Sequence, residues 1–160
     1  MNEITRAVVV RNLRPSDLES VIALDAKNAG RRRDDFFRVK LEQNLAETGI
    51  KVSLAGEMEG AFAGFLLARV YYGEFGQTEP VAVLDTIDVH PAFRGRGVGS
   101  ALLEQLRVNL AGLGVAALRT EVGWDNLTLI GFFQHEGFLP AARLCLDLDL
   151  TVPRRERDDA

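Results

Sequence analysis

The spacing of apolar residues along the chain predicts alternating strands and helices. Residues 7–13, AVVVRNL, are β-branched and short, and they predict a first strand. A helix is expected to start at Ser16, because Ser16 and Glu19 have the spacing of a capping box and apolar residues then recur at helical intervals. The same periodicity predicts a second helix over residues 34–47.

The middle of the chain has the pattern of a hairpin followed by a central strand. Two apolar runs near residues 51–56 and 61–72 flank a turn that holds Glu57 to Gly60. Residues 81–90, VAVLDTIDVH, alternate apolar and polar positions near their end, and Pro91 stops the strand.

The second half predicts four further elements. An amphipathic helix is indicated by leucines at steps of three and four, namely Leu103, Leu106, Leu110 and Leu113. A strand over 115–122, a helix over 125–138 and a half-buried strand over 142–150 are expected to follow. The order β-α-α-β-β-β-α-β-α-β predicts a mixed α/β (α+β) fold. It is expected to form one domain over residues 1–152, with a charged, frayed tail over 153–160.

Composition narrows the class of protein. A chain of 160 residues suits one domain, and a net charge of −4 argues against a nucleic-acid-binding domain. The single cysteine, Cys145, excludes an internal disulfide. No signal-like start and no apolar run of about 20 residues is present, so a cytoplasmic, soluble protein is expected. His90 and His135 lack metal-ligand spacing, so no metal site is expected.

Residues 93–103, FRGRGVGSALL, hold the strongest chemical signal. A glycine-rich turn between a strand and a helix leaves backbone N–H groups pointing outward, and the helix dipole adds positive charge there. Arg94 and Arg96 add full charges, so the loop suits a phosphate or pyrophosphate. A Walker loop is excluded because its lysine is missing, and the glycine spacing does not fit a dinucleotide fingerprint. A tight turn with exposed arginines is the structural alternative.

Arg94-Gly95-Arg96-Gly97-Val98-Gly99 has the form R/Q-x-x-G-x-G/A and resembles the coenzyme A pyrophosphate loop of the GNAT superfamily of N-acetyltransferases. The opening segment VRNLRPSDLESVIAL and the later segment LRTEVGWDNLTLIGFFQHEGF are similar to other parts of that family, in the same order. The resemblance covers nearly the whole chain. It implies a mostly antiparallel mixed sheet that splays at the coenzyme site and is flanked by about four helices.

The resemblance also implies acetyl-CoA as co-substrate and a set of residues that bind it. They are Ile87, Asp88, Val89, Arg94, Gly95, Arg96, Gly97, Val98, Gly99, Ser100, Asn126 and Phe133. Asn126 is equally well explained as a helix N-cap, and Phe133 as a core residue, and in each case both roles are compatible.

Transfer of an acetyl group to an amine calls for a general base, because an alkylammonium with a pKa of about 10.4 must first lose a proton. Glu121, in TEVGWDN, resembles the catalytic glutamate of ribosomal-protein alanine N-acetyltransferases and is the first candidate. Asp85 is the second and Asp88 the third. Strand alternation predicts that Asp85 and Asp88 face opposite sides of the sheet. A structural strand-end role for Glu121 and a turn role for His90 are the alternatives.

Phe133 stands where many members of the family have a tyrosine that protonates the leaving thiolate. Phenylalanine cannot donate a proton, so this departure leaves acetyl-CoA binding expected and the usual acid step in doubt. A non-catalytic acyl-CoA-binding or regulatory module of the same fold, or a transferase for another acyl group, is therefore the alternative function. Tyr71 and Tyr72 on the hairpin are other candidate acids.

The acceptor is expected to be a small-molecule amine or a protein N-terminus. Arg31 to Arg33 would suit an acidic substrate, or they form a solvated turn balanced by nearby aspartates. Trp124, Phe36, Phe37 and Tyr72 would line an apolar pocket, or they pack in the fold. The alternating segment Leu144 to Leu150 suits pairing across a homodimer interface.

Overall fold

Strands and helices alternate along the chain largely as the pattern predicts. The computed structural model describes residues 7–45 and 52–153. In these ranges the strands are β1 (Val9–Asn12), β2 (Leu54–Met58), β3 (Ala61–Tyr71), β4 (Val81–Val89) and β5 (Leu118–Thr120). The α-helices are α1 (Leu18–Ala29), α2 (Asp34–Asn44), α3 (Val98–Gly112) and α4 (Leu127–His135). Short 3₁₀ turns cover Pro15–Asp17, Glu74–Gly76 and Pro91–Phe93.

The five strands form one sheet in chain order. β1 to β4 pair antiparallel, whereas β5 runs parallel to β4. The parallel contact is short, with pairs between Ala82 and Leu118, Val83 and Arg119, and Leu84 and Thr120. The expected mixed, mostly antiparallel sheet is confirmed, and its weakest junction lies between β4 and β5.

Helices cover both faces of the sheet. On one face α1 and α2 pack on β3, where Phe37 and Phe65 are fully buried. On the other face α3 packs through Leu102 and Leu106, which are also fully buried, together with Phe133 of α4. The sheet is thus the middle layer of three, and burial of these apolar side chains is the main stabilising contribution.

Gly64 of β3 lets the N-terminus of α3 approach the sheet closely. A Cβ atom at this position would lie 2.8 Å from Val98 Cγ1 and 2.9 Å from Asp88 O, closer than van der Waals contact allows. Because Val98 is the first residue of α3, this close approach sets the start of the helix against the ends of β3 and β4.

The predicted elements up to residue 138 are present with shorter bounds. β5 occupies only 118–120 of the predicted strand 115–122. The hairpin turn is tighter than predicted and consists of Glu59 and Gly60. Residues 46–51, which include the end of predicted helix 34–47, lie outside the described ranges, as do 1–6 and nearly all of the predicted tail.

The predicted capping box of Ser16 and Glu19 is wrong. Pro15 instead starts a 3₁₀ turn, and Asp17 Oδ2 accepts a hydrogen bond from the Arg14 N–H at 2.8 Å. Arg11 adds two hydrogen bonds to Asp17, each of 2.8 Å. Asp17 therefore organises the entry into α1, because the proline begins the turn one residue before the serine.

The predicted strand over residues 142–150 is also wrong. Residues 139–153, called the C-terminal arm here, contain no helix or strand. The side chains that alternate along it are 82–87% exposed, namely Leu144, Leu146, Leu148 and Leu150. Alternation suits a strand, but a strand forms only where a neighbouring strand accepts its hydrogen bonds. The free edge of β5 does not pair with the arm of its own chain.

No helix within the described ranges is both long and apolar enough to cross a bilayer.

Candidate functional site

An extra residue in β4 shapes the edge of the sheet where β5 begins to leave it. In the β3–β4 ladder Leu67 is opposite Thr86 and Ala68 is opposite Leu84, so Asp85 forms a β-bulge. Leu84 packs in the α3 core, whereas Thr86 shares a face with Leu67 in the α1/α2 core. The bulge therefore reverses the alternation of side chains along β4.

This reversal overturns the expectation that Asp85 and Asp88 face opposite sides of the sheet. Lys40 of α2 donates a hydrogen bond to Asp85 Oδ2 at 2.8 Å. Asn28 of α1 donates one to Asp88 Oδ1. Because α1 and α2 cover the same face, both carboxylates lie on that face. Strict alternation fails here because Asp85 is itself the unpaired residue of the bulge.

β4 and β5 separate beyond the pair of Leu84 and Thr120. Thr120 Oγ1 donates a hydrogen bond to Leu84 O at 2.9 Å and closes the paired region. A cavity of about 180 Å³, called the strand cleft here, opens beyond this point. Its walls are Leu84, Asp85, Thr86, Ile87, Thr120, Glu121, Leu129 and Phe133.

A larger cavity of about 410 Å³, called the acidic cleft here, adjoins the strand cleft. Its charged lining consists of four carboxylates and two guanidiniums, from Glu74, Glu79, Asp85, Glu121, Arg69 and Arg119. Because negative groups outnumber positive ones, the acidic cleft favours a cationic occupant.

The two cavities share Leu84, Asp85, Thr120 and Glu121. Groups that enter from the two cavities would therefore meet beside the carboxylates of Asp85 and Glu121. Asp85 is already bound by Lys40, whereas Glu121 Oε2 has a longer contact, 4.0 Å, with Cys145 Sγ of the C-terminal arm.

The glycine-rich loop leads from the end of β4 into α3. Gly95 and Gly97 have φ angles of +73° and +84°, a conformation that side chains disfavour. No atom lies within 4 Å of a Cβ built at either glycine. Gly97 is the N-cap residue of α3 and offers no side chain to the first N–H groups of the helix. The start of this 15-residue helix is therefore open to an anion.

Gly99 and Ser100 hold α3 against α4 rather than opening the loop. A Cβ at Gly99 would lie 3.0 Å from Phe132 Cζ. Ser100 Oγ donates a hydrogen bond to Glu136 Oε1 at 2.5 Å. The backbone N–H groups of both residues still belong to the first turn of α3.

Neighbouring side chains hold the two loop arginines. Arg94 Nη2 donates a hydrogen bond to Asn28 Oδ1. Arg96 Nη2 lies 2.9 Å from Glu59 Oε1, and its guanidinium lies over the ring of Phe93. Both positive charges thus stay at the rim of the loop, where they reinforce the dipole of α3.

The edge of β4 presents backbone groups to the strand cleft. The His90 N–H donates to Ala63 O at 2.7 Å, and bonding to β3 alternates along the ladder. Ile87 and Val89 consequently direct their N–H and C=O groups away from β3. Val89 O already accepts from Asn28 Nδ2 at 2.9 Å, whereas Ile87 lines the strand cleft.

Asp88 lies among charged groups between α1 and the loop. Burial raises the pKa of Asp88 to about 6, although the hydrogen bond from Asn28 lowers it in part. The carboxylate of Asp25 raises this pKa further, and Arg94 lowers it. Asp25 is only 3% exposed and is bound by Arg33 at 2.5 and 2.9 Å. Burial thus keeps the pKa of Asp88 well above that of an ordinary aspartate, which is about 3.9.

The two α4 candidates have clear structural roles. Asn126 Oδ1 accepts a hydrogen bond from the Leu129 N–H at 3.2 Å and caps the helix, which leaves its amide nitrogen out of the cap. Phe133 is 5% exposed and packs against Phe132 and Phe138. It also lines the strand cleft, so packing and contact with a ligand are compatible.

The arginines after α1 balance local charges. Arg32 is bound to Glu19 and Asp34 at 3.0–3.2 Å. Arg33 is bound to buried Asp25 and lies over the rings of Phe36 and Phe37. The interpretation as a balanced turn fits these contacts.

The aromatic residues that line the acidic cleft differ from the four that the sequence suggested for an acceptor pocket. Phe37 is in the core, whereas Tyr72 and Trp124 are 76% and 88% exposed. The aromatic residues of the cleft are Tyr71 and Phe75.

Sequence reasoning missed the two side chains that hold the candidate aspartates. Asn28 and Lys40 lie 60 and 45 residues before their partners, Asp88 and Asp85. No local pattern marks such contacts. Glu74 and Glu79 were also missed, and the only signal for them was acidic residues in the polar segment between β3 and β4.

Within the described ranges, His, Cys, Asp and Glu side chains form no group of three or more suited to a metal ion. His90 Nδ1 accepts a hydrogen bond from the Ala92 N–H at 3.0 Å, in agreement with a turn role.

The model of the acetyltransferase (GNAT) family matches residues 18–138, which is more than half of the chain. Aminoglycoside N-acetyltransferase AAC(6')-Iy in complex with CoA is similar in structure, with a TM-score of 0.75 and 22% identity over 90% of this chain and 95% of that one. Ribosomal-protein-alanine N-acetyltransferase from Brucella melitensis biovar Abortus 2308 has a TM-score of 0.71 and 21% identity over 89% and 99% of the two chains.

A transcriptional regulator from Bacillus halodurans C-125 is similarly close, with a TM-score of 0.74 and 17% identity over 89% of this chain and 99% of that one. At these identities each likeness shows the fold alone.

The raised pKa of Asp88 predicts a pH-dependent effect of Asp88→Asn on stability. A carboxyl whose pKa is higher in the folded state stabilises the fold below the unfolded pKa, about 3.9, and loses that contribution as pH rises through about 6. We therefore expect the variant to gain in Tm relative to the native chain above pH 7. The gain should shrink as pH falls through about 6. Thermal unfolding of both chains between about pH 4.5 and 8, a range that spans the titration of Asp88, measures the difference in Tm. A difference in Tm that does not change with pH would contradict the prediction.

Proposed function

The chain belongs to the GNAT acetyltransferase family, and on this basis we propose that it transfers an acetyl group from acetyl-CoA to a primary amine where the strand cleft meets the acidic cleft. The observation that carries the proposal is that Asp85 and Glu121 line both cavities. We assign the activity to a domain over residues 1–152.

The glycine-rich loop is proposed to hold the pyrophosphate of the co-substrate. The first-turn N–H groups of α3, opened by Gly95 and Gly97, suit an anion of this kind, and Arg94 and Arg96 add charge at the rim. Val98, Gly99 and Ser100 would contribute backbone N–H groups.

The strand cleft is proposed to hold the pantetheine arm. The backbone of Ile87 and Val89 lies at the edge of β4 that faces away from β3, as a pantetheine amide would require. Phe133 lines this cleft and supplies apolar contact. Asn126 is placed to offer its amide nitrogen, because the helix cap uses only its oxygen.

The reaction requires the acceptor to lose a proton. A protonated amine with a pKa of about 10.4 has no lone pair for attack, so a carboxylate accepts its proton directly or through water. The amine nitrogen then bonds to the acetyl carbon, the carbon–sulfur bond breaks, and the sulfur leaves with the electron pair of that bond. The nitrogen releases its second proton to water to give the neutral amide. The acceptor gains an acetyl group and the co-substrate becomes free CoA.

Glu121 is proposed as the general base. Both Glu121 and Asp85 border the two cavities, but Lys40 already occupies Asp85 Oδ2 at 2.8 Å. Glu121 directly follows β5, and its carboxylate is exposed to an incoming amine. Asp85 is proposed to orient the ammonium form of the acceptor through its charge.

The leaving thiolate is proposed to depart without an acid from position 133. Phe133 has no proton to give, and a thiol with a pKa of about 8.5 is a competent leaving group that water can protonate afterwards. Tyr71 lines the acidic cleft rather than the strand cleft, so it is poorly placed for this step.

The acceptor is proposed to be a small molecule with more than one amine. The carboxylates of Glu74 and Glu79 lie in the acidic cleft apart from the Asp85–Glu121 pair. They would attract further ammonium groups while one amine reacts.

A non-catalytic module that binds acyl-CoA is the alternative function. Phe133 favours it, because this buried side chain cannot act as an acid. The likeness in fold to a transcriptional regulator is compatible with it.

Substitution of Gly97 tests the pyrophosphate site. Gly97→Glu places a negative side chain at a positive-φ N-cap, and we expect acetyl-CoA affinity to fall at least about tenfold by calorimetry. Gly114→Glu is a matched control, because Gly114 has a φ of +73° beyond the opposite end of α3 and open space around it. Equal affinities for the two variants would show that the loop does not hold the co-substrate.

An acceptor panel tests the proposed reaction. The purified chain is incubated with acetyl-CoA and with aminoglycosides, linear polyamines, monoamines or N-terminal peptides, and free CoA is measured. We expect saturable release that is fastest with acceptors that carry several amines, because the acidic cleft concentrates cations. Tight acetyl-CoA binding without release across the panel would favour the non-catalytic module instead.

Two carboxamide variants test the choice of base. Glu121→Gln should lower kcat by about 10²–10⁴ and remove the acidic limb of the pH–rate profile, because no group then accepts the proton. Asp85→Asn should change mainly KM. Steady-state kinetics over pH measures both, and a larger loss of kcat in Asp85→Asn would identify Asp85 as the base.

A further inference from the structure

We propose that Asn28 is a spacer between Arg94 and Asp88, which keeps the Arg94 guanidinium from pairing with that carboxylate and so leaves its charge available to a phosphate group. In this role Asn28 is a positioning residue, because it acts on the ligand through Arg94. The inference rests on the proposed binding of acetyl-CoA at the glycine-rich loop, and it names a residue of α1 that controls the strength of that binding.

Asn28, in the last turn of α1, stands between the two charged groups. Its Nδ2 donates a hydrogen bond to Asp88 Oδ1, and its Oδ1 accepts one from Arg94 Nη2. Nδ2 also donates to Val89 O at 2.9 Å. The donor end of the amide thus faces the carboxylate, and the acceptor end faces the guanidinium. A neutral side chain therefore satisfies both ions while it holds them apart.

These contacts fix the orientation of the amide. A half-turn of the amide would place Oδ1 against the ionised Asp88 carboxylate and Val89 O, which only accept hydrogen bonds. The same half-turn would place Nδ2 against the guanidinium of Arg94, which only donates. Aspartate in place of Asn28 would have no donor for Asp88, and alanine would have no polar group at all. The contacts therefore require an amide in this place.

The two arginines of the loop differ in their partners. Arg96 Nη2 lies 2.9 Å from a carboxylate oxygen of Glu59, so its charge is partly compensated. Arg94 is bound instead through Nη2 to the neutral amide of Asn28, and Arg94 is exposed. Arg94 thus carries the less compensated charge of the pair, beside the start of α3 where an anion is expected.

Asp88 would capture Arg94 if the amide were removed. Burial raises the pKa of Asp88, whereas the positive charge of Arg94 lowers it, so the two groups already interact. Arg33, whose charge also interacts with Asp88, is itself bound to Asp25 at 2.5 and 2.9 Å. Without Asn28, direct pairing of Arg94 with Asp88 would compensate the charge that the loop offers to an anion.

A double-mutant cycle tests whether Asn28 acts through Arg94. Acetyl-CoA affinity is measured by calorimetry for the native chain, Asn28→Ala, Arg94→Ala and the double variant. We expect Asn28→Ala to lower the affinity about tenfold in the native chain and to have no further effect in the Arg94→Ala chain. A loss of affinity in both backgrounds would show that Asn28 only supports the fold, and it would overturn the proposal.

Two further variants secure this comparison. Asn28→Asp has nearly the size of the native side chain and should give the same pattern, because its carboxylate compensates Arg94 directly. Asn109→Ala is the matched control, because it removes a half-buried helical amide that is bound to Gln105 at 2.8 Å on the far half of α3. It should leave the affinity unchanged. Native-like far-UV circular dichroism shows that each variant is folded.

Removal of the Asp88 charge tests whether Asn28 is a spacer or only a support for Arg94. In the Asn28→Ala chain, Asp88→Asn removes the carboxylate that would capture Arg94. We therefore expect the affinity for acetyl-CoA to rise again by at least about threefold. A mere support for Arg94 predicts no such recovery, so the absence of recovery would overturn the proposal.

A titration without ligand tests the spacer apart from the proposed function. NMR of the Asp88 carboxyl carbon gives the pKa of Asp88 in the chains of the same cycle. Arg94→Ala removes a cation and should raise this pKa in both backgrounds, and more in the Asn28→Ala chain, where the two charges are expected to meet directly. An equal rise in both backgrounds would overturn the proposal even if acetyl-CoA did not bind. Failure of the proposed function has a different signature, namely equal acetyl-CoA affinity in the native and Gly97→Glu chains, or no affinity in either.

Discussion

The bulge at Asp85 is the feature on which the site depends. One unpaired residue in β4 changes which side chains face α1 and α2, and it does so where β5 leaves the sheet. Asp85 and Asp88 consequently face the same helices, and past the bulge Ile87 lines the strand cleft with its backbone groups directed away from β3. A bulge bends the strand that carries it, and here the bulge coincides with the point where β4 and β5 separate.

The cleft between these strands brings two kinds of recognition together. On one side, glycines with positive φ open the start of α3 to an anion. On the other side, carboxylates dominate a cavity suited to cations. The loop follows β4 directly, and the two clefts share lining residues of the same strand, so the opposite electrostatic preferences would orient a negatively charged donor and a positively charged acceptor toward each other. Asp85 and Glu121 stand at the point of contact.

The helices of the N-terminal half support this arrangement from behind. Asn28 bridges Asp88, Val89 O and Arg94, and so ties α1 to both the strand end and the loop. Lys40 ties α2 to β4 through its hydrogen bond to Asp85. Such contacts hold the two carboxylates in place and join the loop to the end of β4.

Local patterns in the sequence determined much of the fold and part of the candidate site. Three features depend only on residues within a turn or two: the glycine spacing of the loop, the leucine period of α3 and the asparagine at the start of α4. The sequence therefore predicted these features and, through them, the family. The tertiary structure alone decided the rest. The shared face of Asp85 and Asp88 results from the register of β4 against β3, and their partners Asn28 and Lys40 come from distant helices. The alternating leucines of the arm predicted a strand, but a strand needs a neighbouring edge, and alternation in one segment carries no information about whether such an edge pairs with it.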